Sequence, residues 1–111
     1  MKNHTSIKDL ELFFDQPVSE VLPEDATCIF VLRRRGMQIR IAVNEATPSF
    51  STVMQSESGE EIRMEFEGLE ELCILGDRVG PYLLARFSFA EAAQCIVRVY
   101  PSISVRWSFL R

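Results

Sequence analysis

Ser102-Ile103-Ser104-Val105-Arg106-Trp107-Ser108-Phe109 alternates polar and apolar side chains without a break. Successive side chains of a strand point to opposite faces, so this spacing predicts a strand that buries Ile103, Val105, Trp107 and Phe109 and leaves the serines and Arg106 in water. Working back from it, residues 95–100 read as a second strand, set apart by Pro101. Leu83, Ala85, Phe87 and Phe89 alternate with Arg86 and Ser88 and predict a third, with residues 90–94 a helical turn or a loop between them. The same period recurs at Glu61, Arg63, Glu65 and Glu67 against Ile62, Met64 and Phe66, giving a charged outward face and an apolar inward one. Gly68 then marks a bulge or bend. Residues 69–75 continue as strand until Gly76-Asp77 turns the chain.

The first half follows the same logic with weaker signals. Residues 26–35 are apolar on both faces, as a central strand requires, and Gly36 separates them from alternating Ile39, Ile41 and Val43 in a hairpin. Phe50, Thr52 and Met54 form the weakest alternation and are expected at a sheet edge, where two copies could pair. Near the start, Ser6 precedes Asp9 by three residues, and Ile7, Leu10, Phe13 and Phe14 share one side of a 3.6-residue period. That predicts a short helix over about residues 7–15, ended by Gln16-Pro17 because a residue before proline is pushed out of the α region. Residues 18–25 read as an irregular connection. The expectation is a mainly β fold, an antiparallel sandwich or half-open barrel of about seven or eight strands with one short N-terminal helix.

With 111 residues, 47% of them hydrophobic and 25% charged, the chain suits one domain over 1–111 with one core. Its longest apolar run, Cys28-Ile29-Phe30-Val31-Leu32, falls far short of the roughly 20 residues of a membrane helix. No apolar segment follows Lys2 as a secretion signal would demand, so the expected location is the cytoplasm. Cys28, Cys73 and Cys95 are odd in number and far apart, each within an apolar segment, and read as buried reduced thiols rather than disulfide or metal ligands.

Net charge is −4, against the basic excess usual in nucleic-acid and anionic-membrane binders. Its distribution is uneven. Residues 57–77 hold eight acids and one arginine, whereas residues 33–56 hold four arginines and one acid. Arg33, Arg34, Arg35 and Arg40 could hold a phosphate, but three consecutive strand residues point to both faces and so do not make one patch. Pairing with the glutamates of residues 60–71 is the simpler expectation.

Catalytic sets are not found. The single histidine, His4, lies in a polar N-terminal stretch and leaves no His-based dyad or multi-histidine metal site. Gly76-Asp77-Arg78-Val79-Gly80 lacks the lysine of a phosphate loop and the three glycines of a dinucleotide fingerprint. No serine sits in a nucleophile elbow. Glu61, Glu65 and Glu67 face outward, whereas a catalytic carboxylate needs a desolvating cleft. No enzyme activity, cofactor or metal is expected.

Ile62-Arg63-Met64-Glu65-Phe66-Glu67-Gly68-Leu69-Glu70-Glu71-Leu72-Cys73-Ile74 resembles a pattern of small bacterial β-rich proteins, a strand followed by Phe-x-Gly-aliphatic-x-x-Leu-x-Ile. Some of these are immunity proteins of polymorphic toxin systems. Arg86-Phe87-Ser88-Phe89, Val97-Arg98-Val99-Tyr100 and Val105-Arg106-Trp107-Ser108-Phe109 look like the closing strands of such proteins, so the resemblance covers about half the chain. It implies a stoichiometric, non-catalytic cytoplasmic binder, and supplies neither site residues nor a particular toxin.

Two functions follow as expectations. The first is a protein-interaction module of immunity type, in which Glu61, Glu65, Glu67, Glu70 and Glu71 steer toward a basic toxin and cover the surface it uses. The second is a carrier of small apolar ligands, with a half-barrel cavity lined by Phe50, Met64, Phe66, Tyr82, Phe87 and Trp107. An enzyme working through carboxylates or arginines would need a pocket joining groups such as Asp77, Arg86 and Glu91.

Overall fold

The computed structural model describes residues 5–88 and 93–109. His4, Phe89, Glu91 and most of the turn expected at 90–94 therefore lie outside the described residues. The chain opens with helix α1, Ile7–Phe14, close to the predicted span. The Ser6 side chain accepts a hydrogen bond from the Asp9 backbone N–H at 3.1 Å, and Asp9 places a negative charge in the positive first turn. Asp15 ends the helix in the left-handed conformation. Leu10 and Phe14, one turn apart, are buried, and the Phe14 ring packs 4.7 Å from Phe30.

The strands form two antiparallel sheets, with no closed barrel. The first has the order β1 (Glu20–Leu22), β2 (Thr27–Arg34), β3 (Met37–Asn44), β4 (Ser49–Ser56) and β5 (Glu61–Glu67). The second has the order β6 (Leu69–Gly76), β7 (Pro81–Phe87), β8 (Ala93–Arg98) and β9 (Ser104–Phe109). All connections join neighbours in sequence, so the register is a succession of hairpins.

Two features depart from the sequence reading, and a third settles one of its alternatives. Residues 18–25 are not wholly irregular, because β1 pairs Glu20 with Ile29 and Leu22 with Thr27. The outer backbone groups of β2 need partners, and this segment supplies them, aided by Ser19, whose N–H bonds the Ile29 carbonyl at 2.8 Å. That addition makes nine strands. Next, β4 is not an edge: Phe50 sits between Val43 and Phe66, and Thr52 between Ile41 and Met64. Thr52 tolerates burial because its hydroxyl accepts the indole N–H of Trp107 at 3.1 Å, a bond that also ties the two sheets together. Finally, Gly68 makes the bend of the two alternatives, and the bulge falls two residues later. Leu69 pairs with Phe87 and Glu71 with Arg86, leaving Glu70 as the extra residue.

Gly68 has its own task. It is the single residue between β5 and β6, where the chain leaves one sheet for the other, with φ at 80°. The Gly68 and Leu69 N–H groups both donate to the Pro48 carbonyl, and the Ser88 N–H donates to Gly68. A side chain there would strain a left-handed residue that is held from both sides.

Between the sheets lie Phe30, Leu32, Ile39, Ile41, Val43 and Phe50 from the first and Leu72, Leu83, Ala85, Cys95 and Val97 from the second. Trp107 stands at the centre of an aromatic group, 6.2 Å from Phe50, 5.2 Å from Phe66 and 5.6 Å from Phe87. Among the described residues no helix is long and apolar enough to cross a membrane.

Candidate protein interface

Strands β5 and β6 are outer strands of their respective sheets and carry all five candidate glutamates. Alternation leaves Glu61, Glu65 and Glu67 exposed along one face of β5, as predicted. The apolar face of that strand is less uniform. Met64 and Phe66 are half-buried, but Ile62, near the open end, is 67% exposed.

On β6 the bulge decides the geometry. Leu69 and Leu72 are both buried although they are three residues apart, a spacing that a regular strand cannot give two residues of one face. The extra residue leaves Glu70 and Glu71 half-buried between them, on the strand that follows Gly68 directly. The Leu69-Glu70-Glu71-Leu72 spacing is the sequence signal from which this bulge could have been read.

Part of this charge is already used. Glu61 pairs with Arg63 and Glu71 with Arg86, each at 3.1 Å. Exposed pairs of this kind contribute little to stability. Glu65, Glu67 and Glu70 form no ion pair among the described residues.

The arginine block departs from expectation twice. Arg33, Arg34, Arg35 and Arg40 do not pair with the glutamates of β5 and β6. Two strands separate β2 from β5, so Arg33 and Arg34 stand roughly 14 Å away at about 4.8 Å per strand, beyond side-chain contact; Arg40, on β3, lies one strand nearer and still forms no ion pair among the described residues. Arg33 instead donates from Nε to the Gln38 side chain opposite it, at 2.8 Å, and Arg34 donates to the Arg33 carbonyl at 3.2 Å. Nor do the three arginines disperse. Arg33 and Arg34 still pair in regular register with Gln38 and Met37, yet with Arg35 of the turn they line one open groove of about 370 Å³ that also touches Met37 and Gln55.

That turn is unusual in detail. Arg34 pairs with Met37, leaving Arg35 and Gly36 as a two-residue loop with φ of 47° and 79°. Two successive positive φ values are what a hairpin of this length favours, but the first position suits asparagine or glycine better than arginine. A Cβ at Gly36 would fall 2.6 Å from the Glu57 side chain, but that is the far end of an exposed, flexible side chain that can move aside, so it is the positive φ that calls for glycine here.

The groups considered for chemistry are separated or spent. Asp77 is bound by Arg98, which also lies 4.9 Å over the Tyr82 ring, and Arg86 holds Glu71. The Arg98 hydrogen bond and the N–H groups of Val79 and Gly80 keep the Asp77 carboxyl below the usual carboxylate range. Burial raises the thiols of Cys28, Cys73 and Cys95, the last to about 12, so they stay out of the nucleophilic thiolate form at neutral pH. Cys28 and Cys95 are buried as expected, whereas Cys73 is half-buried. Phe50, Phe66, Phe87 and Trp107, named for a ligand cavity, pack on one another, and Tyr82 serves the Arg98 contact instead.

No protein-family model matches the sequence, and no curated protein does. Among solved structures the chain is similar to one in a contact-dependent growth inhibition toxin and immunity protein complex from Klebsiella pneumoniae 342, with a TM-score of 0.90. The likeness covers 97% of this chain and 96% of that one at 14% sequence identity, and what it shows is a common fold.

Proposed function

We propose that this protein is a non-catalytic immunity-type protein that binds a toxin stoichiometrically in the cytoplasm, with Glu61, Glu65, Glu67, Glu70 and Glu71 at the contact. The observation that carries the reading is the end-to-end likeness in fold to a chain of a toxin and immunity protein complex. The sequence pattern around Gly68 supports it independently, since it resembles immunity proteins of polymorphic toxin systems. The placement of the contact rests on charge: Glu65, Glu67 and Glu70 have no cationic partner among the described residues.

A basic toxin that handles nucleic acid must present cations where phosphate goes, and an acidic edge competes for that surface without any chemistry of its own. Long-range attraction of this kind accelerates association about 10-fold to 1,000-fold at low salt. Four of the six residues named for the carrier's cavity, Phe50, Phe66, Phe87 and Trp107, pack on one another, which favours the binding function over the carrier.

The test is affinity capture of the tagged protein from its host at low and high salt, with mass spectrometry of what co-purifies. A basic protein held at one-to-one ratio, released by salt, and lethal when expressed without this chain is the expected result. Capture that yields no such protein would sink the proposal.

A further inference from the structure

Three grooves meet at Met37, at the end of the sandwich where the β2–β3 turn, the β4–β5 turn and the segment before β9 lie together. One is the arginine-lined groove described above. A second, of about 190 Å³, runs between Arg34, Arg35 and Met37 and the Pro101-Ser102-Ile103 segment. The third, of about 240 Å³, continues from Met37 to Glu60, Glu61 and Ile62. Met37 and Ile62 are 36% and 67% exposed. Here, then, two guanidinium groups without an ion pair among the described residues border an apolar floor, and the floor leads directly to the acidic strand.

We propose that this end is a second contact for the same protein partner, in which Arg34 and Arg35 take a carboxylate and the Met37 hollow takes an apolar side chain beside it. The proposal rests on the immunity-type reading and specifies the partner's chemistry further: an acidic-apolar segment adjoining its basic surface. A guanidinium presents a planar fork suited to a carboxylate, and Arg34 and Arg35 form no ion pair within the described residues. A nucleic-acid strand fits poorly. Its phosphates would meet Glu57, which lies against Gly36, and then Glu60 and Glu61 along the next groove. The left-handed Arg35 is the independent sign. A turn built only for folding favours asparagine before glycine, and this chain keeps a cation there instead.

The experiment places a photo-crosslinking benzoylphenylalanine at Met37, with Leu12 on α1 as a distant control, in the full chain expressed in its host. The expected product is a crosslink from position 37 to a partner peptide with Asp or Glu beside an apolar residue, and none from position 12. Against the purified partner, Arg34→Glu with Arg35→Glu should lower affinity at least 10-fold. Arg35→Asn should lower affinity while raising the thermal midpoint, a split that a merely structural arginine would not give. Crosslinking to RNA, no crosslink from position 37, or unchanged affinity of both variants overturns this inference while leaving the captured partner, and the immunity-type reading, in place. Failure of the unmodified protein to capture any partner overturns both.

Discussion

The β6–β7 turn and the β2–β3 turn are both tight and charged, yet they treat their charges in opposite ways. In the first, the Asp77 carboxylate accepts the Val79 and Gly80 N–H groups and binds Arg98, which reaches from β8 and rests on Tyr82. The Asp77 and Arg98 charges are closed within the fold, while Arg78 beside them stays exposed and forms no ion pair among the described residues. In the second, three arginines gather at a strained loop and form no ion pair among the described residues. The difference separates charge closed within the fold from charge left open at the surface, and Glu65, Glu67 and Glu70 belong with the second kind.

The strongest way to break that division is to reverse the open charge. Glu65→Lys, Glu67→Lys and Glu70→Lys together should weaken toxin binding by about 100-fold, or about 2.7 kcal/mol, in titration calorimetry. Urea unfolding of the same variant should change by no more than about 0.5 kcal/mol per substitution, as for surface changes generally. A large loss of stability would show these acids to be structural after all. Inside the fold, Thr52→Val leaves the Trp107 N–H without its acceptor and should cost about 1–3 kcal/mol in urea unfolding. Equal stability of this variant would mean that packing alone holds the sheets.

The closed turn is tested by acid. The Asp77 carboxyl is lowered in the folded protein, so the unfolded chain takes up its proton first. The resulting stabilisation is complete above the ordinary value of 3.8 and is lost as pH falls through the lower folded value. The difference in urea midpoint between the parent and Asp77→Asn should therefore shrink as pH drops below that value, and a constant difference would dismiss the clasp. The smallest effect belongs to the open turn, where Arg35→Asn should stabilise by at most about 1 kcal/mol, read from thermal unfolding.

How much of this was legible follows from how local each signal is. Strands β5 and β9 announce themselves through the period of their own side chains, and α1 through Ser6 and its apolar spacing. Strand β1 could not be read that way, because its reason for existing is the unpaired backbone of β2. Thr52 and its neighbouring serines made β4 look peripheral, since the hydroxyl bond that admits Thr52 to the core comes from Trp107, 55 residues later. At the candidate interface, exposure of Glu61, Glu65 and Glu67 followed from alternation. The groove shared by the arginines did not, because it lies at the end of the hairpin, with Arg35 in the turn itself, where a rule about strand faces stops. The spacing of Leu69 and Leu72 was visible all along, though its meaning needed the register with β7.

The position of the glutamates on the last strand of a sheet places a second demand on them. An outer strand offers free backbone N–H and C=O groups to any extended chain, and charge is one of the means that keep identical molecules from stacking there. Neutral residues at Glu61, Glu65 and Glu67 would thus expose β5 to self-association. Lysines in place of these acids would keep that protection of the edge whereas alanines would remove it, so the sign of the charge on β5 is freer to change than its presence.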